Sequence, residues 1–487
     1  MPAAPAGASA ANSNHDLGVH GMGIDGVRIS PEARLFAAEE LCRRAGLGEH
    51  DLIHRCHLHQ SPEGHVSLQN VCAPGSPRID FPAATGALRS DLVVRKSWPK
   101  DTPAAIHDTV PDFIVPYCRN DSVPGQPLFL QTAPGEFRCT EDILASTALV
   151  LSRFEEIDAT GRDSHARFPS AQSIAFRDHY LDRPIVDEYG LALQQVLQAL
   201  DPGLPAPVRC LRVKLSHDID EIGIPFSLRD LAVQLFARRR TSTALRDLLS
   251  SIGGSTPGSL DQVIEICRLA GERGLRPALY WKASPPSPFD SGYDIADPRI
   301  SRVMDWAFCR NIEMGVHPGY QTFLSPTELR NEVERCRKAL GTECIGGRQH
   351  YLRWSPETWA HWEQCGLAYD SSVGYADRAG FRAGTCWPYF PWLWKQNRRA
   401  ALLEIPLILM DRTLVSRQYM GKTPEEALAT ARDLMRKCEA VGGVITLLWH
   451  NNCLGHPFSA YYPAIFDALS GVANYDWESS RPGQAAP

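Results

Sequence analysis

Leu211-Arg-Val-Lys-Leu-Ser-His-Asp-Ile-Asp220 is the stretch from which the chain is read. Val213 and Leu215 alternate with polar neighbours, and the run is short and follows a Pro/Gly-rich segment, so it predicts a strand. It ends in three titratable groups, His217, Asp218 and Asp220. An imidazole and two carboxylates at the end of a buried strand are costly to desolvate unless they bind a metal, pair with cations or do acid–base work. A strand end emerging into water would account for one Asp. The same pattern recurs downstream, and that favours function.

From 211 onward, strands alternate with helices. Predicted strands are 278–283, 312–317, 345–350, 367–370, 401–410 and 443–450. Between them lie helix starts of recognisable chemistry: Ser259-Leu-Asp-Gln262, Ser325-Pro-Thr-Glu328, Ser355-Pro-Glu-Thr and Thr423-Pro-Glu-Glu426, the last opening a helix over 424–440. The basic run Arg238-Arg-Arg240 reads as a solvated face. About seven strands interleaved with helices predict a parallel α/β barrel. Titratable residues close most strands: Asp218, Asp220, His317, His350, Asp370, Asp411 and His450. In parallel barrels the site is built at that end of the strands.

Upstream, residues 1–27 are small and polar and predict a disordered tail. Residues 31–47 have helical spacing, 78–138 reads as short strands broken by Pro and Gly, and 141–156 and 186–200 read as helices. That makes an α+β domain over 28–205, ending near Pro202, Gly203, Pro205 and Pro207. His54-Arg-Cys-His-Leu-His59 holds zinc-type ligands but matches no closed zinc spacing, so it reads as a solvated strand. The remainder divides into a barrel over 208–472 and a flexible tail over 473–487. The chain has 487 residues, a formal charge of -6 and a pI near 6.2, which argues against nucleic-acid binding. It has no apolar run of membrane-spanning length and no secretory signal pattern. Fourteen cysteines without CxxC pairs suggest reduced thiols and a cytoplasmic location.

These residues resemble the polysaccharide deacetylase superfamily, the NodB-homology hydrolases of carbohydrate esterase family 4. The family motif TFDDG is similar to Ser216-His-Asp-Ile-Asp220, and HSxxH to His317-Pro-Gly-Tyr-Gln321, with Gln in place of the second His. RxxPY is similar to Arg348-Gln-His-Tyr351, and the closing strand-His motif to Leu447-Leu-Trp-His450. A divergent bacterial branch, identified as polysaccharide deacetylase-like, carries HDxD, GxHPxY, RQHYLR, YDSxxGYADRxGFRxGT and LLWH. All five runs occur here, between His217 and His450, and the region ahead of the barrel also resembles that branch.

The resemblance implies a distorted seven-stranded (β/α) barrel with one divalent metal, zinc first, with cobalt or manganese as alternatives. It implies a hydrolase that cleaves an N-acyl group, N-acetyl first, from a sugar or glycan. The metal acidifies the attacking water and polarises the amide carbonyl. Metal ligands on this reading are Asp220, His317 and His350, with His350 standing in for the missing second His. Asp218 is the base, oriented by Arg348, and His450 the acid. Ile219 between the two carboxylates leaves open an exchange of their roles. Asp370, Tyr375, Arg378 and Arg382, at or on the long loop 371–399, are candidate substrate contacts, with salt bridging inside the loop as the alternative. Trp387, Trp392 and Trp394 read first as loop packing and second as sugar stacking. Two other readings remain: deformylation or deacylation of a small biosynthetic or nucleotide-sugar intermediate, and a glycan-binding protein without catalysis. No oligomeric state follows from the sequence.

Overall fold

Ser30 caps the first helix, Pro31–Arg44, by accepting from the Ala33 amide. The computed structural model describes residues 29–480, apart from 84–87, 90, 100–106, 108, 158, 205, 223–258, 291 and 344. The 1–27 tail, residues 481–487 and the Arg238-Arg-Arg240 run lie outside the described residues. The first helix packs on helices Ile143–Leu151 and Ile185–Leu200. The last of these crosses it so closely that a Cβ on Gly190 would lie 2.4 Å from Arg44 Cβ. Alongside them are β1 (Cys56–Gln60), β2 (Val66–Asn70), β3 (Arg78–Phe81), β4 (Val93–Lys96), β5 (Phe113–Pro116), β6 (Phe129–Ala133) and β7 (Glu136–Cys139). Five of them form a sheet of order β1-β2-β3-β7-β6, and β4 pairs with β5. The His54–His59 segment splits between the end of helix Glu49–His54 and β1. The N-terminal region is thus α+β.

The opening stretch forms β8 (Arg212–Ile219), buried from Val213 onward. After it come β9 (Pro277–Trp281), β10 (Glu313–Val316), β11 (Tyr369–Asp370), β12 (Trp392–Leu393), β13 (Arg398–Arg399), β14 (Leu403–Glu404), β15 (Leu409–Met410), β16 (Val444–Leu448) and β17 (Ala473–Asn474). The parallel sheet runs β10-β9-β8-β16-β15, with β17 beside the start of β8. The helices between its strands begin where the sequence places their caps. Ser259, Ser325 and Thr423 accept from Gln262, Glu328 and Glu426, and Thr423 with Glu426 makes a reciprocal box.

The structure departs from the seven-stranded expectation. The predicted strand 345–350 is reduced to single bridges from Gly347 to Val316 and to Asp370. The backbones approach too closely there for any side chain: a Cβ on Gly347 would lie 1.8 Å from the Val316 carbonyl oxygen. The predicted strand 401–410 is broken into β14, which pairs with β11, and β15, which pairs with β16. Among the described residues the strands form a mixed α/β layer, not a continuously hydrogen-bonded barrel. The tail expected to be flexible is ordered as far as 480: β17 pairs with β8, and Trp477 is buried against the Tyr369 ring.

The long loop 371–399 binds the two halves of the chain together. Its Trp392 ring packs on Phe36 and its Trp394 ring on Phe154, while Trp387 Nε1 donates to the Val441 carbonyl. Asp187 accepts from Arg44 Nε at 2.7 Å, from Thr385 Oγ1 at 2.6 Å and from the Cys386 amide at 2.8 Å. The aromatic and basic character of this loop is therefore used in joining it to the N-terminal region.

Candidate metal centre

β8 alternates its side chains, so Asp218 and Asp220 emerge on one face and His217 on the other. His217 is fully buried and its Nδ1 lies 2.7 Å from the Trp449 carbonyl oxygen. Burial pushes its imidazole down to about 4, so it stays neutral. On the opposite face, Asp220 Oδ1 stands 3.3 Å from His317 Nε2 and 3.3 Å from His350 Nε2. The nearest donor atoms of these three residues all lie within 4.8 Å of one another. Asp218 Oδ2 is 3.7 Å from His317 Nε2.

Each imidazole is oriented through its other nitrogen. His317 Nδ1 lies 2.6 Å from the Arg348 carbonyl oxygen, and His350 Nδ1 lies 2.7 Å from Asp290 Oδ1. Those contacts orient both rings so that their Nε2 atoms face Asp220. His317 Nε2 is buried and has no hydrogen-bond partner. Two imidazoles and a carboxylate, converging and held by acceptors behind, are the donor set of a divalent metal such as zinc. The residues present fit such an ion.

Two buried pairs flank this cluster. Arg348 Nη1 donates to Asp218 Oδ1 and to Ser216 Oγ, both at 2.9 Å, and its other nitrogens bind Ser371. His450 Nδ1 lies 2.8 Å from Asp411 Oδ1, and the His450 amide donates to Asp411 Oδ2 at 2.6 Å. His450 Nε2 is 3.8 Å from Asp220 Oδ2. Burial alone would lower the His450 pKa, but the Asp411 carboxylate and its hydrogen bond outweigh burial and raise it. The same contact outweighs burial on Asp411 and lowers its pKa. Asp411, His450 and Cys453 form a second buried group of metal-competent side chains. Its Asp411–His450 contact is the kind that orients an acid–base imidazole.

The structure therefore brings together Asp218, Asp220, His317, His350, Arg348 and His450. The four proposed substrate residues have partners of their own. Arg382 is 2% exposed and grips the Glu156 carboxylate with two nitrogens, at 2.9 and 2.5 Å. Tyr375 is buried, and its hydroxyl accepts from Arg153 at 3.2 Å. Arg378 is exposed beside the Phe176 ring. Asp370 is fully buried and held by the Ser372 amide and hydroxyl. Gln321, which replaces the second family His, is exposed. Sequence reasoning missed Asp290 and Lys282, whose ammonium lies 3.0 Å from Asp290 Oδ1. Lys282 carried a signal, a charge closing an apolar strand. Asp290, in a Pro-rich loop, carried none.

Asp370 sits opposite Glu404 in the β11–β14 pairing. Burial raises Asp370 to about 7, and burial with the Asp370 charge raises Glu404 well above the carboxylate range. In the unfolded chain both groups titrate near 4. Between about pH 4 and 7 the folded state thus holds protons that the unfolded state releases. Their contribution to stability is full below about pH 4 and is lost as pH rises through the folded pKa. We expect Glu404→Gln to flatten this fall. It should be more stable than the parent at pH 8, on the order of 2 kcal/mol, as read by denaturant unfolding from pH 4 to 8. Parallel pH profiles for the two proteins would refute the assignment.

Comparison with known proteins locates little of this. A family of unknown function (DUF7033) matches residues 90–202. No curated protein matches the chain. Among solved structures, the chain is similar to a "putative polysaccharide deacetylase" from Mycobacterium smegmatis, with 15% identity and a TM-score of 0.39, over 56% of this chain and 89% of that one. It is also similar to a "putative polysaccharide deacetylase involved in O-antigen biosynthesis" from Bordetella bronchiseptica, with 12% identity and a TM-score of 0.27, over 44% of this chain and 81% of that one. At those scores the likeness carries no argument about this chain, so the functional reading rests on the geometry and the sequence motifs. No described helix is long and apolar enough to cross a membrane.

Proposed function

We propose that this chain is a divalent-metal-dependent amide hydrolase that removes an N-acyl group, N-acetyl first, from a sugar, on a distorted (β/α) barrel of the polysaccharide-deacetylase type. The observation that carries the reading is the convergence of His317 Nε2 and His350 Nε2 on Asp220 Oδ1, each at 3.3 Å, beside a carboxylate fixed by arginine and an imidazole fixed by carboxylate.

Asp220, His317 and His350 would hold the ion, leaving positions for water and substrate. When bound, it supplies Lewis-acid polarisation of a carbonyl and acidification of water. Asp218 supports the role of base. Arg348 donates to Oδ1, which leaves Oδ2 on the cluster side to take a proton. His450 supports the role of acid. Asp411 accepts from Nδ1, which points Nε2 toward the cluster, and the Asp411 carboxylate raises the His450 pKa, which favours the protonated form an acid needs.

Elemental analysis of the purified protein tests the first half. About one divalent metal per chain is expected, lost in His317→Ala and His350→Ala and kept in His450→Ala. A panel of N-acetyl, N-formyl and longer N-acyl sugars, scored for released acid, tests the second. No metal after incubation with zinc, cobalt or manganese would sink the hydrolase reading and favour a non-catalytic glycan binder.

A further inference from the structure

His350 is followed by two residues in an unusual conformation. Tyr351 has φ 62° and Leu352 φ 53°, and neither is glycine. Consecutive left-handed residues with side chains persist only where surrounding contacts over-determine them. Here the contacts come from the far end of the sequence. Arg167 Nη1 donates to the Tyr351 carbonyl at 3.1 Å. In return Arg353 Nε donates to the His165 carbonyl at 2.9 Å, while its Nη1 binds the Tyr320 carbonyl. The His165 ring rests 4.7 Å from the Tyr351 ring, and its Nδ1 is 3.2 Å from Tyr320 Oη. The Tyr351 ring in turn lies 4.6 Å from the His350 ring.

The strap that makes these contacts is itself braced. Asp163 accepts from the His165 and Arg167 amides, both at 2.9 Å, and from Arg167 Nε at 2.7 Å. Arg167 is 8% exposed and reaches Tyr419 Oη with its remaining nitrogen at 3.3 Å. Beyond the strap, the Tyr320 amide donates to both oxygens of Asp290, the carboxylate that orients His350. The strap therefore reaches His350 through intermediaries on two sides, Tyr351 that follows it and Tyr320 with Asp290 behind it.

We propose that residues 163–167 are positioning residues of the metal centre: Arg167 and His165 lock the 350–352 turn and so fix His350 for a divalent metal. On this account the N-terminal region completes the site instead of standing beside it. The proposal rests on the metal-site reading above. Loss of a contact that orients a metal ligand typically costs 10–100-fold in metal affinity.

The test is zinc affinity of the full chain, measured by competition against a chromophoric chelator. Arg167→Ala and His165→Ala are expected to weaken binding at least ~10-fold with far-UV circular dichroism and thermal midpoint retained, and Arg167→Lys to restore part of it. Arg436→Ala, at an exposed position of the helix over 424–440, should bind as the parent does. If Arg167→Ala fails to fold, His165→Ala carries the test alone. Parental zinc affinity in folded Arg167→Ala and His165→Ala overturns the strap and leaves the metal-site reading standing. A parent that binds no zinc overturns both. Zinc binding that depends on the strap, without release of acid from any N-acyl sugar, upholds the strap and removes only the hydrolase.

Discussion

Asp218→Asn is expected to lower kcat for acid release by about 10²–10⁴-fold, the range for loss of a general base, while metal content stays at one per chain. Asp220→Asn is expected to lose the metal itself. The two residues stand two apart on one strand face, and both approach His317 Nε2. What separates them is their second partner. Asp220 also meets His350 Nε2, whereas Asp218 gives one oxygen to the buried Arg348. An oxygen committed to a guanidinium is a poor metal ligand, and a carboxylate so anchored is well placed to receive a proton. Asn at 218 retains a hydrogen-bond acceptor for Arg348 but removes its counter-charge, so stability has to be read beside activity. Thermal midpoint, metal content and kcat are read on the same preparations. Metal loss in Asp218→Asn with retention in Asp220→Asn would exchange the roles. The kcat profile of the parent should fall on its alkaline side as His450 loses its proton. Asp411→Asn should move that limb downward, because it removes the carboxylate that raises the His450 pKa.

The sequence carries the site further than it carries the barrel. Side chains that end strands must either be solvated or do something, so Asp218, Asp220, His317, His350, Asp370, Asp411 and His450 are readable as a set. The alternation of a strand was enough to put Asp218 and Asp220 on one face. Continuity of the sheet was not visible. Gly346 and Gly347 allow a backbone approach that replaces ladder pairing with single bridges, and nothing in hydrophobic periodicity reports that. The loop 371–399 stays between two readings for a different reason. Arginine and tryptophan suit both sugar binding and buried seams, and only the partner decides. Glu156, the partner of Arg382, lies 226 residues away. Asp290 was missed because a loop carboxylate has no period to betray its direction. The strap at 163–167 is a loop, and its target follows His350 in a separate part of the chain.

Glu156→Ala is expected to destabilise the protein by about 3–5 kcal/mol, the cost of leaving buried cations without their counter-charge. Glu156 is fully buried, receives Arg382 through two nitrogens, and accepts from Arg153 Nε at 2.8 Å. Arg153 and Arg382 are 3% and 2% exposed, so water cannot replace the lost carboxylate. Arg153 keeps Glu155 as a second partner at 2.6 Å, whereas Arg382 keeps only the Gly374 carbonyl and the faces of Trp354 and Tyr375. The loss therefore falls mainly on Arg382 and on the seam between the N-terminal region and loop 371–399. The thermal midpoint should drop by roughly 3–5 °C, and proteolysis should cut first within 371–399. Adding Arg382→Met to Glu156→Ala should recover much of the loss, because the stranded cation rather than the missing pair dominates the cost. Arg378→Ala, at an exposed position of the same loop, should change stability by less than about 0.5 kcal/mol. A Glu156→Ala shift as small as that of Arg378→Ala would mean that apolar packing, led by Trp392 on Phe36 and Trp394 on Phe154, holds the seam without help from the ion pairs.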